Sequence, residues 1–204
     1  MTILAVLGFV MAVAMMPASL ASASELQRFY DEVSTLQARF IQRVEDERGR
    51  VIEITEGQLW LRRPNLFRWS YDGPNPQIIV SNGRNIQLYD VDLSQVTVRP
   101  LDDALSGTPA LLLAGGADLE QHFSVTSTGR HDDLDWFELT PRNTETDFRL
   151  VRLGLREGRI LQMELIDQFG QVTRIRFTAI KVNVDVPASR FELDLPPDVD
   201  VVRG

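Results

Sequence analysis

The chain has 204 residues, 44% of them hydrophobic and 25% charged, which fits one globular domain with a sizeable core. A formal net charge of −8 opposes nucleic acid and anionic membrane surfaces as partners. With no cysteine, the sequence excludes disulfide staples, thiol catalysis, zinc–thiolate sites and acylation of an N-terminal cysteine.

Residues 1–23 carry no charge, and "TILAVLGFVMAVAMM" is a continuous apolar run. Ala21-Ser22-Ala23 has the small-x-small form of a signal-peptidase site. It predicts export, cleavage after Ala23 and a single mature domain over 24–204. The competing assignment is an uncleaved anchor, for which the run is near the lower length limit.

From Ser24 to about Gln37, the spacing of Leu26, Phe29, Tyr30, Val33 and Leu36 predicts an amphipathic helix. Ser24 serves as its cap, and Glu25 suits the positive end of the dipole. The apolar stripe must lie against something greasy, either as ordinary core packing or as the cover of a cavity.

From Ala38 the period shifts to two, predicting strands near 38–45, 51–62, 66–72, 77–81, 85–90 and 94–99. Gly49, "DGPNP" (72–76) and "SNGRN" (81–85) supply turns, and Asn82-Gly83 signals a tight hairpin. Connections this short make neighbouring strands antiparallel. Once Pro64 is passed, the alternation in "LFRWSY" (66–71) puts Phe67, Trp69 and Tyr71 on one face. The same parity places Phe40, Leu59 and Leu61 with them. That face is either plain core or the wall of an apolar pocket.

Residues 100 to about 119 interrupt the strands. "PLDDALSGTPALLLAGGAD" predicts one or two short helices, broken at Gly107, capped by Thr108 and ended by Gly115-Gly116. Leu111, Leu112 and Leu113 make this insert a candidate lid, or equally a plug for a barrel end. Strands resume near 121–128, 134–141, 147–156, 159–168 and 171–183. In the closing "VPASRFELDLPPDVDVV", Pro187 starts a short helical turn and Pro196-Pro197 ends the Phe191–Leu195 stretch. The fold class is mainly β: an unclosed antiparallel β-barrel of about 11 strands with a short helical lid.

Catalytic chemistry is not signalled. His122 and His131 lack metal-ligand spacing, and "GRHDDLD" reads as a solvated turn. No nucleophile elbow, phosphate loop or dinucleotide fingerprint occurs, and the acidic residues are scattered. The sequence predicts no enzyme, no cofactor and no metal.

Five segments, "LQARFIQ", "GQLWLRRPNLFRWSY", "QIIVSNGRNIQLYD", "TPALLLA" and "RFELDLPPDV", together resemble the LolA family of outer-membrane lipoprotein carriers of Gram-negative bacteria. The similarity covers essentially the whole mature chain, and "RRPNLFRW" followed by "VSNG" is its most specific part. The resemblance implies a monomeric, soluble periplasmic carrier that holds lipoprotein acyl chains in an apolar cavity under a helical lid. It implies cargo received from an ATP-driven inner-membrane complex (LolCDE) and handed to an anchored outer-membrane receptor (LolB). It also implies that Arg63, the arginine before Pro-Asn, latches the lid by bonding to lid-helix backbone; by itself that residue reads first as a strand-end surface charge. Phe67 and Trp69 match the family's aromatic pair, and Tyr71, Phe40, Leu59 and Leu61 complete the implied acyl-chain cavity. Leu26, Phe29, Tyr30, Val33, Leu36, Leu111, Leu112 and Leu113 form the implied lid. The alternative function is a lipid- or lipoprotein-sensing module of an envelope-stress regulator with the same half-barrel.

Overall fold

The computed structural model describes residues 19–101, 109–115, 119–143 and 146–203. Most of the predicted leader, and the predicted break and cap at Gly107 and Thr108, lie outside them. Helix α1 (Ser19–Glu32) leads into β1 (Thr35–Glu45), β2 (Val51–Arg62), β3 (Leu66–Asp72), β4 (Gln77–Asn82), β5 (Asn85–Asp90) and β6 (Gln95–Pro100). Two short helices follow, α2 (Pro109–Ala114) and α3 (Leu119–His122). Then come β7 (Phe123–His131), β8 (Leu134–Pro141), β9 (Phe148–Arg156), β10 (Arg159–Asp167) and β11 (Val172–Val182). A 3-10 turn (Ala188–Phe191) and β12 (Asp200–Arg203) follow.

All strands form one sheet in the order β12-β6-β5-β4-β3-β2-β1-β11-β10-β9-β8-β7. Its two ends do not pair with each other, so the barrel is unclosed. Neighbours are antiparallel except β12, which runs parallel to β6. The hairpin predicted at Asn82-Gly83 joins β4 to β5, with Gly83 at φ +86° where a side chain would be strained.

Register follows the period-two pattern. On the inner face, successive rows across β1, β2 and β3 are Leu36–Leu61–Phe67, Ala38–Leu59–Trp69 and Phe40–Gly57–Tyr71. Gly57 is the smallest member because the Phe40 ring lies across it. A Cβ there would meet the Ser70 backbone oxygen and come 2.5 Å from Phe40 Cζ. Phe40 also pairs with Phe177 of β11 on the same face. These residues and the inward sides of α1 and α2 make one buried apolar cluster.

A second, smaller core lies on the outer face. Val80, Val186 and Phe191 are buried there, with Trp60, Leu66, Ile78, Val184 and Leu193 packed around them. The C-terminal segment therefore crosses the outside of the sheet. Arg190 stacks over Trp60 at 4.7 Å from the ring centre, and Arg68 donates to the Glu192 carbonyl at 3.3 Å.

Two expectations need correction. The predicted helix over 24–37 instead runs Ser19–Glu32, so Ser24 lies within it and does not cap it. Val33 follows its last residue, and Leu36 belongs to β1, where it is fully buried opposite Leu61. Leu36 suits the i+3 spacing from Val33 and the alternation with Ala38 and Phe40 equally well. The tie is broken by Asn183, whose side-chain N–H2 donates to Glu32 O at 2.8 Å while its Oδ1 accepts from Ser34 N at 2.9 Å. The described strands number 12, in line with the expected 11 or so, the additional one being the short β12.

Candidate functional site

The site is built where the ends of two helices meet the turn between β2 and β3. An α-helix leaves its last four carbonyls without intrahelical donors. In α2 each finds a partner: Leu111 O accepts from Gly115 N at 2.7 Å, and Leu112 O from the Tyr30 hydroxyl at 2.9 Å. Leu113 O accepts from Arg63 Nη2 at 3.0 Å, and Ala114 O from Asn65 N at 2.9 Å. Asn65 adopts φ 63°, a left-handed conformation that asparagine tolerates better than most residues.

Arg63 serves α1 as well. Its Nη1 donates to Phe29 O at 2.8 Å, to Tyr30 O at 3.3 Å and to Val33 O. Its guanidinium carbon lies 4.4 Å from the Phe29 ring centre and 4.8 Å from that of Tyr30. One planar fork thus joins the C-terminal ends of α1 and α2, where the helix dipoles favour a positive charge. Burial lowers the Arg63 pKa, and the neighbouring Tyr30 and Asp31 oppose that fall. Burial also pushes the Tyr30 hydroxyl well up from its ordinary value, against the opposing effect of Arg63.

Under this clasp lies an aromatic wall. Phe67 is 0% exposed, Trp69 2% and Phe40 1%, while Leu59 and Leu61 are fully buried. Phe40 and Trp69 are 4.5 Å apart between ring centres, and Tyr71 packs edge-on to Phe40 at 5.5 Å. Phe177 meets Trp69 edge-on at 6.1 Å. Tyr71 is less buried and donates to Gln42 Oε1 at 3.3 Å. Burial pushes its pKa up to about 12. The neighbouring Trp69 indole opposes the rise at the Tyr71 hydroxyl, yet its N–H makes no hydrogen bond.

On the other half of the inner face, α1 packs against β7, β8, β9 and β10, whereas α2 packs against β2 and β3. Glu25 fixes α1 there, accepting from Gly158 N at 2.6 Å in the β9–β10 turn and pairing with Arg28 at 2.7 Å. Between α1 and the β7–β8 edge lies a cavity of about 370 Å³, lined by Leu26, Gln27, Tyr30, Leu119, Glu120, Val125, Ser127 and Phe137.

The fold brings Leu26, Phe29, Tyr30, Val33 and Leu111 to Leu113 onto the same side of the sheet as Phe67, Trp69, Tyr71, Phe40, Leu59 and Leu61. Sequence reasoning missed Phe177, Gln42 and Asn183. Gln42 shares the parity of Phe40 on β1, whereas Phe177 comes within reach only once β1 and β11 are paired, and that pairing joins residues more than a hundred positions apart. His122 ends α3, and His131 stacks on Trp136 with ring centres 5.1 Å apart. Among the described residues no group of three or more His, Asp or Glu side chains is placed to hold a metal. No described helix is long and apolar enough to cross a membrane.

The model of the outer membrane lipoprotein carrier protein LolA family matches residues 31–194. The chain belongs to the LolA family. It is 42% identical over 202 residues to an outer-membrane lipoprotein carrier protein of Pseudomonas aeruginosa, covering 96% of each chain. An outer-membrane lipoprotein carrier protein of Alkalilimnicola ehrlichii is 41% identical over 187 residues, or 90% of this chain and 85% of that one. Among solved structures, a LolA superfamily protein from Nitrosomonas europaea superposes with a TM-score of 0.51 at 16% identity. The match covers 86% of this chain and 98% of that one, a likeness of fold. LolA-family proteins are carriers, not enzymes.

Proposed function

We propose that this protein carries lipoproteins through the periplasm, holding their acyl chains against the aromatic inner face. The observation that carries the reading is the Arg63 fork, which ties α1 and α2 together over an apolar interior. In the empty protein the helices fill that interior and serve as its core. Cargo enters when the Arg63 bonds open and α1 and α2 lift from Phe67, Trp69, Leu59 and Leu61.

The energetics favour such a device. Each buried methylene contributes about 0.8 kcal/mol, so several long acyl chains in a fixed, dry cavity would be held almost irreversibly. A carrier must release its load. Opening the clasp on loading costs free energy that offsets the gain, and the difference between closed and open states sets the affinity.

In this reading residues 1–23 are a signal peptide and the domain acts as a monomer. Its donor is an ATP-driven inner-membrane complex of the LolCDE type, and its acceptor an outer-membrane receptor of the LolB type. The 42% match extends over 96% of the Pseudomonas carrier, which favours a carrier over a sensing module of a larger regulator.

The test mixes the protein from Ser24 onward with inner-membrane vesicles bearing a labelled triacylated lipoprotein, and adds ATP. A soluble one-to-one complex is expected, and Phe67→Glu should abolish it by placing a charge in the dry interior. A folded protein that releases no lipoprotein from the vesicles would refute the reading.

A further inference from the structure

Buried polar side-chain atoms almost always have hydrogen-bond partners, and each exception needs a reason. Among the described residues four lack one: Thr55 Oγ1, Arg63 Nε, Trp69 Nε1 and Ser127 Oγ. Three features of this set are unusual. All four sit on the inner face or at the clasp over it. Thr55 shares the inward parity of Gly57, Leu59 and Leu61 on β2, Trp69 is on β3, and Ser127 lines the cavity under α1. Every one can donate a proton, and two of them, the indole and the guanidinium nitrogen, can do nothing else. Finally, all four atoms are buried, where an unmade bond has its full cost.

An acyl ligand is the complement of this set. Its chains are hydrocarbon, and each joins the rest of the molecule through an ester or amide carbonyl, whose oxygen can only accept. We infer that the unpartnered donors on the inner face, Trp69 Nε1, Thr55 Oγ1 and Ser127 Oγ, receive the carbonyl oxygens that link acyl chains to their polar head. This rests on the carrier reading and adds to it where the polar linkages lie. One set of donors is on β2 and β3, next to the Tyr71–Gln42 hydrogen bond, and the other is in the cavity against β7. Trp69, at 2% exposure, is too buried for water to take the place of such a carbonyl in the closed protein. The Trp69 indole N–H therefore becomes satisfied only on loading, which sharpens the preference for linked acyl chains over bare hydrocarbon.

Lipid selectivity carries the sign of this arrangement. A purely apolar interior would prefer a dialkyl ether lipid to its diacyl counterpart, because an ester carbonyl loses its bonds to water on entry. Donors awaiting carbonyls reverse that order.

The experiment displaces a fluorescent fatty acid from the full mature domain with diacylglycerol and with dialkylglycerol of equal chain length. The diacyl lipid should bind more tightly, by about two- to tenfold for each donor engaged. Thr55→Val and Ser127→Ala, which remove the donor with little change of shape, and Trp69→Phe, which removes it and also leaves a small void that affects both lipids alike, should each shrink that ratio, and the triple variant should invert it. Equal or ether-favouring affinities in the wild type would overturn the inference while leaving the carrier reading intact. A ratio unchanged in the variants would overturn it as well. If neither lipid displaces the reporter, the interior does not take acyl chains, and both readings fall.

Discussion

Arg63→Leu isolates the clasp from the rest of the fold. The change removes contacts to two carbonyls of α1, to that of Val33 just after it and to one of α2, together with the guanidinium faces on Phe29 and Tyr30. Nη1 has two hydrogens for its three acceptors, so the four contacts amount to about three bonds of roughly 1.5–3 kcal/mol each. Desolvation of the guanidinium, the same effect that lowers its pKa, cancels a large part of that sum. A net loss of about 2–4 kcal/mol from the closed state remains, a shift of roughly 30- to several-hundred-fold towards the open one. The Tyr30–Leu112 and Asn65–Ala114 bonds still hold the two helices in place, so the domain stays folded. If the closed state competes with cargo as proposed, the variant should bind a fluorescent fatty acid more tightly and release it more slowly, up to that factor. Titration and stopped-flow dissociation measure both quantities, and amide hydrogen exchange reads the loosening of α1 directly. Arg63→Lys, which keeps the charge but loses the planar fork, should fall between the two. Unchanged affinity, release rate and exchange in Arg63→Leu would show that the fork does not set the closed state.

Gly57→Ala should destabilise the domain by about 1–3 kcal/mol, since its methyl group meets the Ser70 carbonyl and the Phe40 ring. Thermal unfolding followed by circular dichroism should show a Tm lower by roughly 2–10 °C. Tyr71 keeps its proton in the folded state from its ordinary value near 10 up to about 12, whereas the unfolded chain loses it near 10. The stabilisation is complete below pH 10 and is lost as pH rises through the folded value, so urea midpoints should fall over that window. Tyr71→Phe should flatten the fall, leaving the part due to Tyr30, whose hydroxyl is raised by burial too. Phe191→Ala empties the centre of the outer core at a cost of about 3–5 kcal/mol. The C-terminal segment should then become the first site of limited proteolysis, while equal resistance to wild type would contradict its anchoring role.

Much of this fold is written in short-range signals. The strands at 51–62, 66–72, 85–90 and 134–141 lie where alternation and turn residues put them, because period two and a Gly or Asn turn are properties of a few neighbouring residues. What could not be read locally was the end of α1, since Leu36 satisfies both periods and Asn183, about 150 positions away, makes the choice. The four-residue β12 was equally hidden. Its strand character comes from lying beside β6, at the end of a segment whose course is fixed by Phe191 and Val186 on the far side of the sheet. At the site, the inward row Phe67–Trp69–Tyr71 was visible as a pattern. The carbonyls that Arg63 joins were not, because backbone acceptors leave no trace in residue identity.

The path of the C-terminal segment has a mechanical meaning. It leaves β11 in the middle of the sheet, crosses the outside against β3 and β4, and ends hydrogen-bonded to β6. It is a chord drawn across an arc: with both ends fixed and its centre pinned by Phe191, it limits how far strands β1 to β6 can flatten or curl. Strands β7 to β10, with α1 on their inner side, have no such tie among the described residues. Arg63 thus joins a braced half to an unbraced one. In the proposed carrier mechanism, cargo of different bulk would be accommodated by bending the unbraced half about the β1–β11 seam, with the aromatic wall serving as the fixed jaw.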